Sequence, residues 1–407
     1  MSPITQAMID QIVKECLQSF QSLPKTGKPL NCEWTVLTCI IQRNTESGKY
    51  RVVSIGTGSK CIGATKMCPA GYILNDSHAE VMARRGFLLY LYQNIELCLD
   101  NKNSIFQLVD SKCKLKENIE FIFYCSQLPC GDASIVCKDE VSDEIGDIIP
   151  SMKRSIQDTG NECEEKRSRL DIHRTGAKCL QDSIQDLKLP GAEYHILGQV
   201  RTKPGRGDRT LSVSCSDKIA RWIHLGIQGS LISLLMDEPI VLNHYIFGNG
   251  VPYSVDSLKR ALCMRNLKII ESISNVHFYQ STITFPYIKT EECLRPAPCS
   301  IVYIDIHSGT SEVAVQGKKL GVTKKQKQSL CIYLCICKYN LYKRFQEILV
   351  KNKTWCEEIC GSTSLQNICY NEMKQKSVKY NNKWKEIKHS FFQRWTVKPD
   401  IFAFKVS

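Results

Sequence analysis

The sequence contains no apolar run long enough to cross a lipid bilayer. Its most apolar stretch, residues 330–337, falls well short of the roughly 20 residues that a spanning helix needs. The first residues also lack the basic, apolar and small-residue order of a secretory signal. We therefore expect a protein that is not secreted and has no membrane partner.

Acidic residues are too few to balance the basic ones. The chain has 41 Asp and Glu against 54 Lys and Arg, which gives a net charge of +13, and the excess lies towards the C-terminus. A surplus of this size is typical of proteins that bind a polyanion such as RNA. A basic protein without such a partner is the alternative that charge alone leaves open.

Cysteine, in contrast, is abundant, with 22 residues. Because no secretory signal accompanies them, we expect thiols or metal ligands in a reducing compartment, which indicates the nucleus or the cytoplasm. Most of these cysteines are expected to be small core residues.

A histidine and a glutamate open an apolar helical run after residue 75. His78 and Glu80 stand two residues apart, and Asp76 or Ser77 can cap the helix. A histidine nitrogen can bind zinc, while a glutamate two positions on can reach a water on the metal without binding the metal. Taken alone, His78 is more often a core histidine, so the motif needs partners elsewhere.

Two cysteines are candidates for those partners. Cys130 follows a predicted strand in a Pro-Cys-Gly turn, and Cys215 begins a predicted helix. With His78 they supply one nitrogen and two thiolates, which leaves one position of a tetrahedral zinc for water. Cys125 and Cys137 are close enough to Cys130 in sequence to be rivals for the third ligand.

Four basic residues near these motifs would be costly to bury. Arg84 and Arg85 interrupt the apolar helix, while Lys218 and Arg221 lie three residues apart just after Cys215. Buried cations need anions. Either some of them point to solvent or the protein holds an anion here.

Helices alternating with mostly buried strands predict an α/β layered fold, without internal repeats. We expect a helix within residues 1–30, one domain at 31–400 and a long helix at 217–235. Residues 138–169 are dense in charge and poor in aromatic residues, which predicts a flexible insertion. The C-terminal part is predicted to be helical and lysine-rich.

The motif residues resemble a known enzyme signature. His78 and Glu80 with Pro129, Cys130 and Gly131 resemble the zinc nucleoside deaminases, whose second cysteine lies three residues after the first. Here Ala133 stands at that position. A distant Ser-Cys-Ser-Asp-Lys, which matches residues 214–218, is typical instead of the adenosine deaminases acting on RNA, and the match extends through 220–229.

This resemblance implies a fold and a reaction. It implies a three-layer cytidine-deaminase-like α/β core with the helical C-terminal part packed on it, and makes 31–400 an A-to-I editase deaminase domain. It further implies zinc on His78, Cys130 and Cys215, with Glu80 moving the proton as water converts adenosine to inosine. An adenine must leave its stack to react, which costs least in a loop.

Within the family, three stretches resemble the tRNA-specific branch. They are residues 73–78, 174–179 and 200–209. That branch deaminates the adenosine 3′ of the anticodon of alanine tRNA, so the resemblance implies tRNA, and not DNA, as partner. The alternatives are a deaminase of structured mRNA or of cytidine, a non-catalytic RNA-binding homologue, and a structural zinc protein. The oligomeric state stays open.

The resemblance also implies an inositol hexakisphosphate inside the domain. Asp76 and Lys203 resemble the residues that link this cofactor to the zinc site, and Lys324 or Lys325 is expected to supply a further lysine. Trp384 and Val397 depart from the relatives, which have a lysine and a glutamate there. The positions that match the cofactor ligands are Asn75, Arg84, Arg85, Lys218, Arg221, Trp222, Gln228, Ser230, Tyr370, Lys374, Tyr380, Trp395 and Lys398.

Contacts with RNA are less specific in the sequence. Ser59 and Lys60 resemble a loop that touches the substrate ribose and phosphate in the relatives. Asp208 falls by count at the position that fills the space of a flipped base, but the surrounding loop differs and we transfer no role to it. Lysines at 318–327 either meet tRNA phosphates or form a solvated face.

Overall fold

The computed structural model describes residues 4–138, 171–205, 208–265, 275–306, 309–322, 332–397 and 402–406. The predicted flexible insertion, apart from Lys138, lies outside the described residues, as do Lys324, Lys325 and Lys398. No helix in these ranges is both long and apolar enough to cross a membrane. All twenty cysteines in them are free thiols.

The described helices follow one another in two groups, one around the sheet and one near the C-terminus. They are α1 (Gln6–Ser22), α2 (Ala79–Leu99), α3 (Cys215–Leu225), α4 (Gly229–Ile232), α5 (Val255–Leu262), α6 (Lys338–Lys351), α7 (Lys353–Cys360), α8 (Tyr370–Gln375) and α9 (Val378–Ser390).

Eight of the described strands form one sheet, and the rest pair in short ladders. They are β1 (Glu33–Trp34), β2 (Leu37–Asn44), β3 (Tyr50–Thr57), β4 (Ser59–Cys61), β5 (Asp76–His78), β6 (Phe106–Val109), β7 (Lys112–Leu115), β8 (Ile119–Cys125), β9 (Val136–Cys137), β10 (Ile172–His173), β11 (Lys178–Cys179), β12 (Arg201–Thr202), β13 (His244–Asn249), β14 (His277–Thr284), β15 (Arg295–Pro296), β16 (Cys299–Ile304), β17 (Thr310–Val315) and β18 (Lys318–Lys319).

The large sheet is mixed. Its strand order is β14-β13-β8-β2-β3-β16-β17-β18. Strands β14, β13 and β8 run parallel, and every other neighbouring pair is antiparallel. The predicted α/β class is therefore confirmed.

Alternation along the central strands creates two apolar cores. In β2, Cys39 and Ile41 pack with α1, while Ile40 between them packs in the larger core with α2. Successive side chains of a strand point to opposite faces, so a continuous apolar run buries both. The predicted N-terminal helix is present as α1, and the side chain of Thr5 caps it.

The predicted long helix at 217–235 is wrong. Helix α3 ends at Leu225, and Gly226 adopts a φ of 83°, which an α-helix does not contain. The chain turns there and resumes as the short α4. The break allows the C-terminal helices to contact α3 and α4, with α9 against both and α8 against α4.

Candidate active site and the cavity behind it

Two helix N-termini and a turn meet at one end of the sheet. His78 is the N-cap residue of α2, Cys215 is the first residue of α3, and Cys130 lies in the turn after β8. The backbone N–H of Cys215 donates to Sγ of Cys130 over 3.4 Å. The N–H of Ser216 donates to the Cys130 carbonyl over 3.0 Å. The structure thus brings together two cysteines that are 85 positions apart.

Local sequence explains why the two cysteines approach. Gly131 has a φ of 109°, and a Cβ there would lie 2.3 Å from Oγ of Ser214. Ser214 needs that space because its hydroxyl accepts from the backbone N–H of Asp217 over 3.1 Å and so caps α3. The glycine at 131 therefore allows the Pro-Cys-Gly turn to pack closely against the Ser-Cys-Ser helix start.

Asp76 orients His78. One oxygen of its carboxylate, Oδ1, lies 2.8 Å from Nδ1 of His78 and accepts from the His78 backbone N–H over 3.0 Å. The carboxylate holds the ring through Nδ1 and leaves Nε2 for another partner. Carboxylate-held imidazoles are typical of metal-binding histidines.

Lys203 joins this carboxylate to the cysteine pair. Its Nζ lies 2.9 Å from Oδ2 of Asp76 and donates to Sγ of Cys215 over 2.9 Å. Lys218 also contacts Oδ2 of Asp76. Although burial alone would raise the pKa of Asp76, Lys203 and Lys218 hold it well below its usual range. His78, Asp76, Lys203, Cys215 and Cys130 are therefore one connected network.

Glu80 lies beside that network. It is only 3% exposed and stands in the first turn of α2, where a helix favours negative charge. Burial raises the pKa of Cys215, whereas hydrogen bonding with Cys215 lowers that of Cys130, so the pair favours one thiolate. The thiolate is the metal-binding form of cysteine.

His78, Cys130 and Cys215 are the donors that a zinc ion would meet here. Among the described residues, no three His, Cys, Asp or Glu side chains are close enough together to qualify as a metal site as they stand. The chemistry nevertheless fits zinc, because two adjacent sulfurs and one oriented imidazole leave a fourth position open. The zinc-ligand roles of His78, Cys130 and Cys215 stay a prediction.

The rival cysteines occupy other positions. Cys125 ends β8, where its thiol accepts from the Thr38 hydroxyl over 3.2 Å. Cys137 lies in β9 and pairs with Ile172 of β10. Within the described residues, the cysteine that hydrogen-bonds to Cys130 is Cys215.

A cavity of about 340 Å³ adjoins this site, and Asp76 and Lys218 belong to its wall. Twelve of the thirteen positions predicted to bind the polyphosphate line it, and the thirteenth is Lys398. These twelve are Asn75, Arg84, Arg85, Lys218, Arg221, Trp222, Gln228, Ser230, Tyr370, Lys374, Tyr380 and Trp395. Lys338 also lines it and was not predicted. A lone lysine after an apolar stretch carries no motif, so only the fold could find it.

Among the described residues, the cavity wall holds more cations than anions. Burial lowers the pKa of Arg84, and the neighbouring Arg85 and Arg221 add to this effect, so that the pKa is about 10. Within the described residues, Nη2 of Arg85, Nε of Arg221 and Oδ1 of Asn75 are buried without a hydrogen-bond partner. Asp76 is the carboxylate in the wall. A surplus of half-buried cations together with orphaned polar atoms fits a bound polyanion.

The structure shows where Trp384 and Val397 lie. Trp384 lies with its ring centroid 3.8 Å from the guanidinium of Arg221, a cation–π contact. Trp384 therefore holds a cation of the cavity wall in place. Val397 is 76% exposed.

The predicted substrate residues lie next to the metal motif. In the β4–β5 ladder, Ser59 is opposite His78 and Lys60 is opposite Ser77. Asp208 instead closes a loop, because its Oδ2 accepts from the backbone N–H of Thr65 over 2.9 Å and from the Thr65 hydroxyl over 2.6 Å.

Comparison with known proteins identifies the family. The profile of the adenosine-deaminase (editase) domain matches residues 54–399. This chain belongs to that family. It is 36% identical to tRNA-specific adenosine deaminase 1 of Drosophila melanogaster over 96% of this chain and 95% of the relative. It is 32% identical to the Homo sapiens protein of the same name over 97% and 99%.

A second group of relatives is similar over less of its length. The double-stranded RNA-specific editase Adar of Drosophila melanogaster is 29% identical over 66% of this chain but only 37% of its own. The full-length match thus distinguishes the tRNA-specific relatives from the double-stranded RNA editases.

Proposed function

We propose that this protein converts adenosine to inosine in tRNA, next to the anticodon, by hydrolytic deamination. The observation that supports this most is the network from His78 through Asp76 and Lys203 to Cys215 and Cys130, with Glu80 beside it. These groups have the composition that a deaminase of nucleobases needs.

We assign His78, Cys130 and Cys215 as the residues that would hold zinc. When bound, zinc makes a water acidic enough to supply a nucleophile at neutral pH. Glu80 takes a proton from the attacking water and returns it to the amine that leaves C6 of adenine. Lys203 and Asp76 keep the sulfur and imidazole donors oriented for that step.

The cavity takes an inositol hexakisphosphate in this proposal. Arg84, Arg85 and Arg221 would bind its phosphates, while Lys218 contacts both the cavity and Asp76. The C-terminal helices α8 and α9 would then be held to α2 and α3 by a shared anion. We further propose a cytidine-deaminase-like core within one domain at 31–400, in the nucleus or the cytoplasm.

Transfer RNA is favoured over duplex RNA by the extent of similarity. The relatives named for tRNA are matched from end to end, whereas those named for double-stranded RNA are matched over part of their length. We propose more specifically that alanine tRNA is the substrate and that the adenosine 3′ of its anticodon is the base that reacts.

Incubation of tRNA with the full-length protein tests it. In sequencing reads we expect A-to-G changes beside the anticodon of alanine tRNA. We expect no deamination of cytidine or of duplex RNA. Glu80→Gln should lower kcat at least about 100-fold, because the amide cannot move a proton. Glu357→Gln, at an exposed glutamate, is the control.

Two measurements test for the cofactors independently of the deamination reaction. Elemental analysis should find one zinc per chain, lost in Cys215→Ser, and mass spectrometry of the denatured protein should find the polyphosphate. Deamination by Glu80→Gln at the wild-type rate, with the fold unchanged, would contradict the assigned role of Glu80.

A further inference from the structure

A second, more open cleft of about 840 Å³ adjoins the candidate active site. Its wall comes from residues 174–195 and from the segment after β12. Lys203 belongs both to this wall and to the network at Cys215. The cleft is therefore separated from Cys215 by a single side chain.

The cleft carries positive charge that the protein does not neutralise. Within the described residues, the side chains of Lys178, Lys188 and Arg209 have no ion-pair partner, and all three are exposed. Of the acidic groups in the described wall, Asp186 is neutralised by an arginine and Asp208 is held by a threonine. Asp186 binds the guanidinium of Arg201 over 2.6 and 2.7 Å, and Asp208 binds Thr65.

A flat surface and an orphaned nitrogen lie in the same wall. The guanidinium of Arg174 lies 4.1 Å from the ring centroid of Tyr194. His195 is 7% exposed, and within the described residues its Nε2 has no hydrogen-bond partner. Guanidinium and aromatic planes stack on unpaired bases, and a ring nitrogen can read a base edge.

We propose that this cleft binds a nucleotide of the substrate RNA that flanks the target adenosine. Lys178, Lys188 and Arg209 contact its phosphates, and its base stacks on the surface formed by Arg174 and Tyr194. His195 is the buried group available to hydrogen-bond that base. The proposal rests on the proposed function, and it extends recognition beyond the reacting adenosine.

Paired lysine variants test the phosphate contacts. In the full-length Glu80→Gln protein, which binds without turnover, Lys178→Ala with Lys188→Ala should weaken binding of the anticodon stem–loop about tenfold. The slope of log K against log salt should fall by about 1.4, since each phosphate contact on a single strand contributes about 0.7. Lys14→Ala with Lys49→Ala removes the same charge from exposed sites on other surfaces and should leave the slope unchanged.

Abasic substrates test the stacking contact. Removing the base at one flanking position should weaken binding to the protein that retains Arg174. The same removal should leave binding to the Arg174→Ala variant nearly unchanged, so that the two effects on Kd differ about fivefold or more. Arg174→Lys keeps the charge without the plane and should behave as Arg174→Ala. Melting temperatures of all variants establish that the fold is intact.

The outcomes distinguish this cleft from the proposed reaction. If the wild type deaminates tRNA but the cleft variants bind like the Lys14–Lys49 control, the cleft assignment is overturned and the reaction stands. If the cleft variants weaken binding with the predicted change in salt slope while the wild type deaminates no RNA, the cleft assignment is supported and the proposed deamination is contradicted. Equal losses for every abasic position in both proteins would overturn the stacking contact.

Discussion

Arginine is withdrawn from solvent in two regions of this molecule, completely in one and partly in the other, with opposite consequences. Arg201 has a fully buried side chain and makes a bidentate pair with Asp186. Burial alone would lower its pKa, but Asp186 outweighs burial and raises it. Arg84 and Arg85 are half-buried in the cavity wall, and the loss of hydration there lowers the pKa of each.

The difference shows how a scaffold and a ligand site can be told apart. A buried cation costs several kcal/mol unless an anion accompanies it. Around Arg201 the chain supplies that anion, so the region is complete by itself. Around Arg84 the chain supplies more cations, so we expect an anion from outside the chain to complete it.

The largest effect should come from breaking the matched pair. Asp186→Asn removes the charge but keeps the shape, which leaves Arg201 buried and unpaired. We expect the free energy of unfolding to fall by about 3 kcal/mol, measured by urea denaturation. Asp182→Asn, at an exposed aspartate of the same segment, should change it by less than about 0.5 kcal/mol. A similar small change in Asp186→Asn would contradict the matched pair.

The unmatched cluster should respond to its ligand. Without inositol hexakisphosphate, Arg84→Met should leave stability near that of the wild type, because the lost contacts offset the relieved cost of burial. At ligand concentrations about 100 times the wild-type Kd, the wild type should gain about 2.7 kcal/mol and the variant clearly less. Arg201→Met is the contrasting control and should destabilise equally with and without the ligand.

Acid should weaken the matched region selectively. Although burial raises the pKa of Asp186, hydrogen bonds from Arg201 and His195 bring it below its ordinary value. The pair therefore stabilises the fold fully above the unfolded carboxyl pKa of about 4, and this stabilisation is lost as the pH falls through the lower folded pKa. The difference in unfolding free energy between wild type and Asp186→Asn should be constant from about pH 5 to 7 and shrink below about pH 4.

The smallest effect concerns the aromatic group that holds Arg221. Trp384→Leu keeps an apolar side chain but removes the ring under the guanidinium, and should cost about 1 kcal/mol. Trp384→Phe, which keeps a ring, should recover part of that loss, as measured by denaturation with the polyanion absent. Equal stability of the Leu and Phe variants would show that the ring is not what matters.

Local patterns made the chemistry of the site predictable. His78 and Glu80 are two residues apart, so one strand-to-helix junction positions both, and a short motif was enough to find them. Asp76 was placed between zinc site and cavity by resemblance, and the structure links it to both Lys203 and Lys218. Lys338 was missed because no recognised motif lies near it in the sequence.

The cleft beside the active site could also not be predicted from the sequence. Residues 174–179 and 200–209 were recognised as a branch-specific match, but their joint surface depends on how β11 pairs with β12. Likewise, Gly226 was read as part of a helix, since a single glycine is tolerated in many helices.

By itself, the sequence determined which chemical groups are available, the α/β class and the surplus of positive charge. Those properties depend on residue type and on neighbours a few positions away. The tertiary structure alone decided which cysteine meets Cys130, which arginines find a carboxylate and which do not. Pairing of distant segments is set by the packing of the whole chain, and the energy of a buried charge depends on what that packing places beside it.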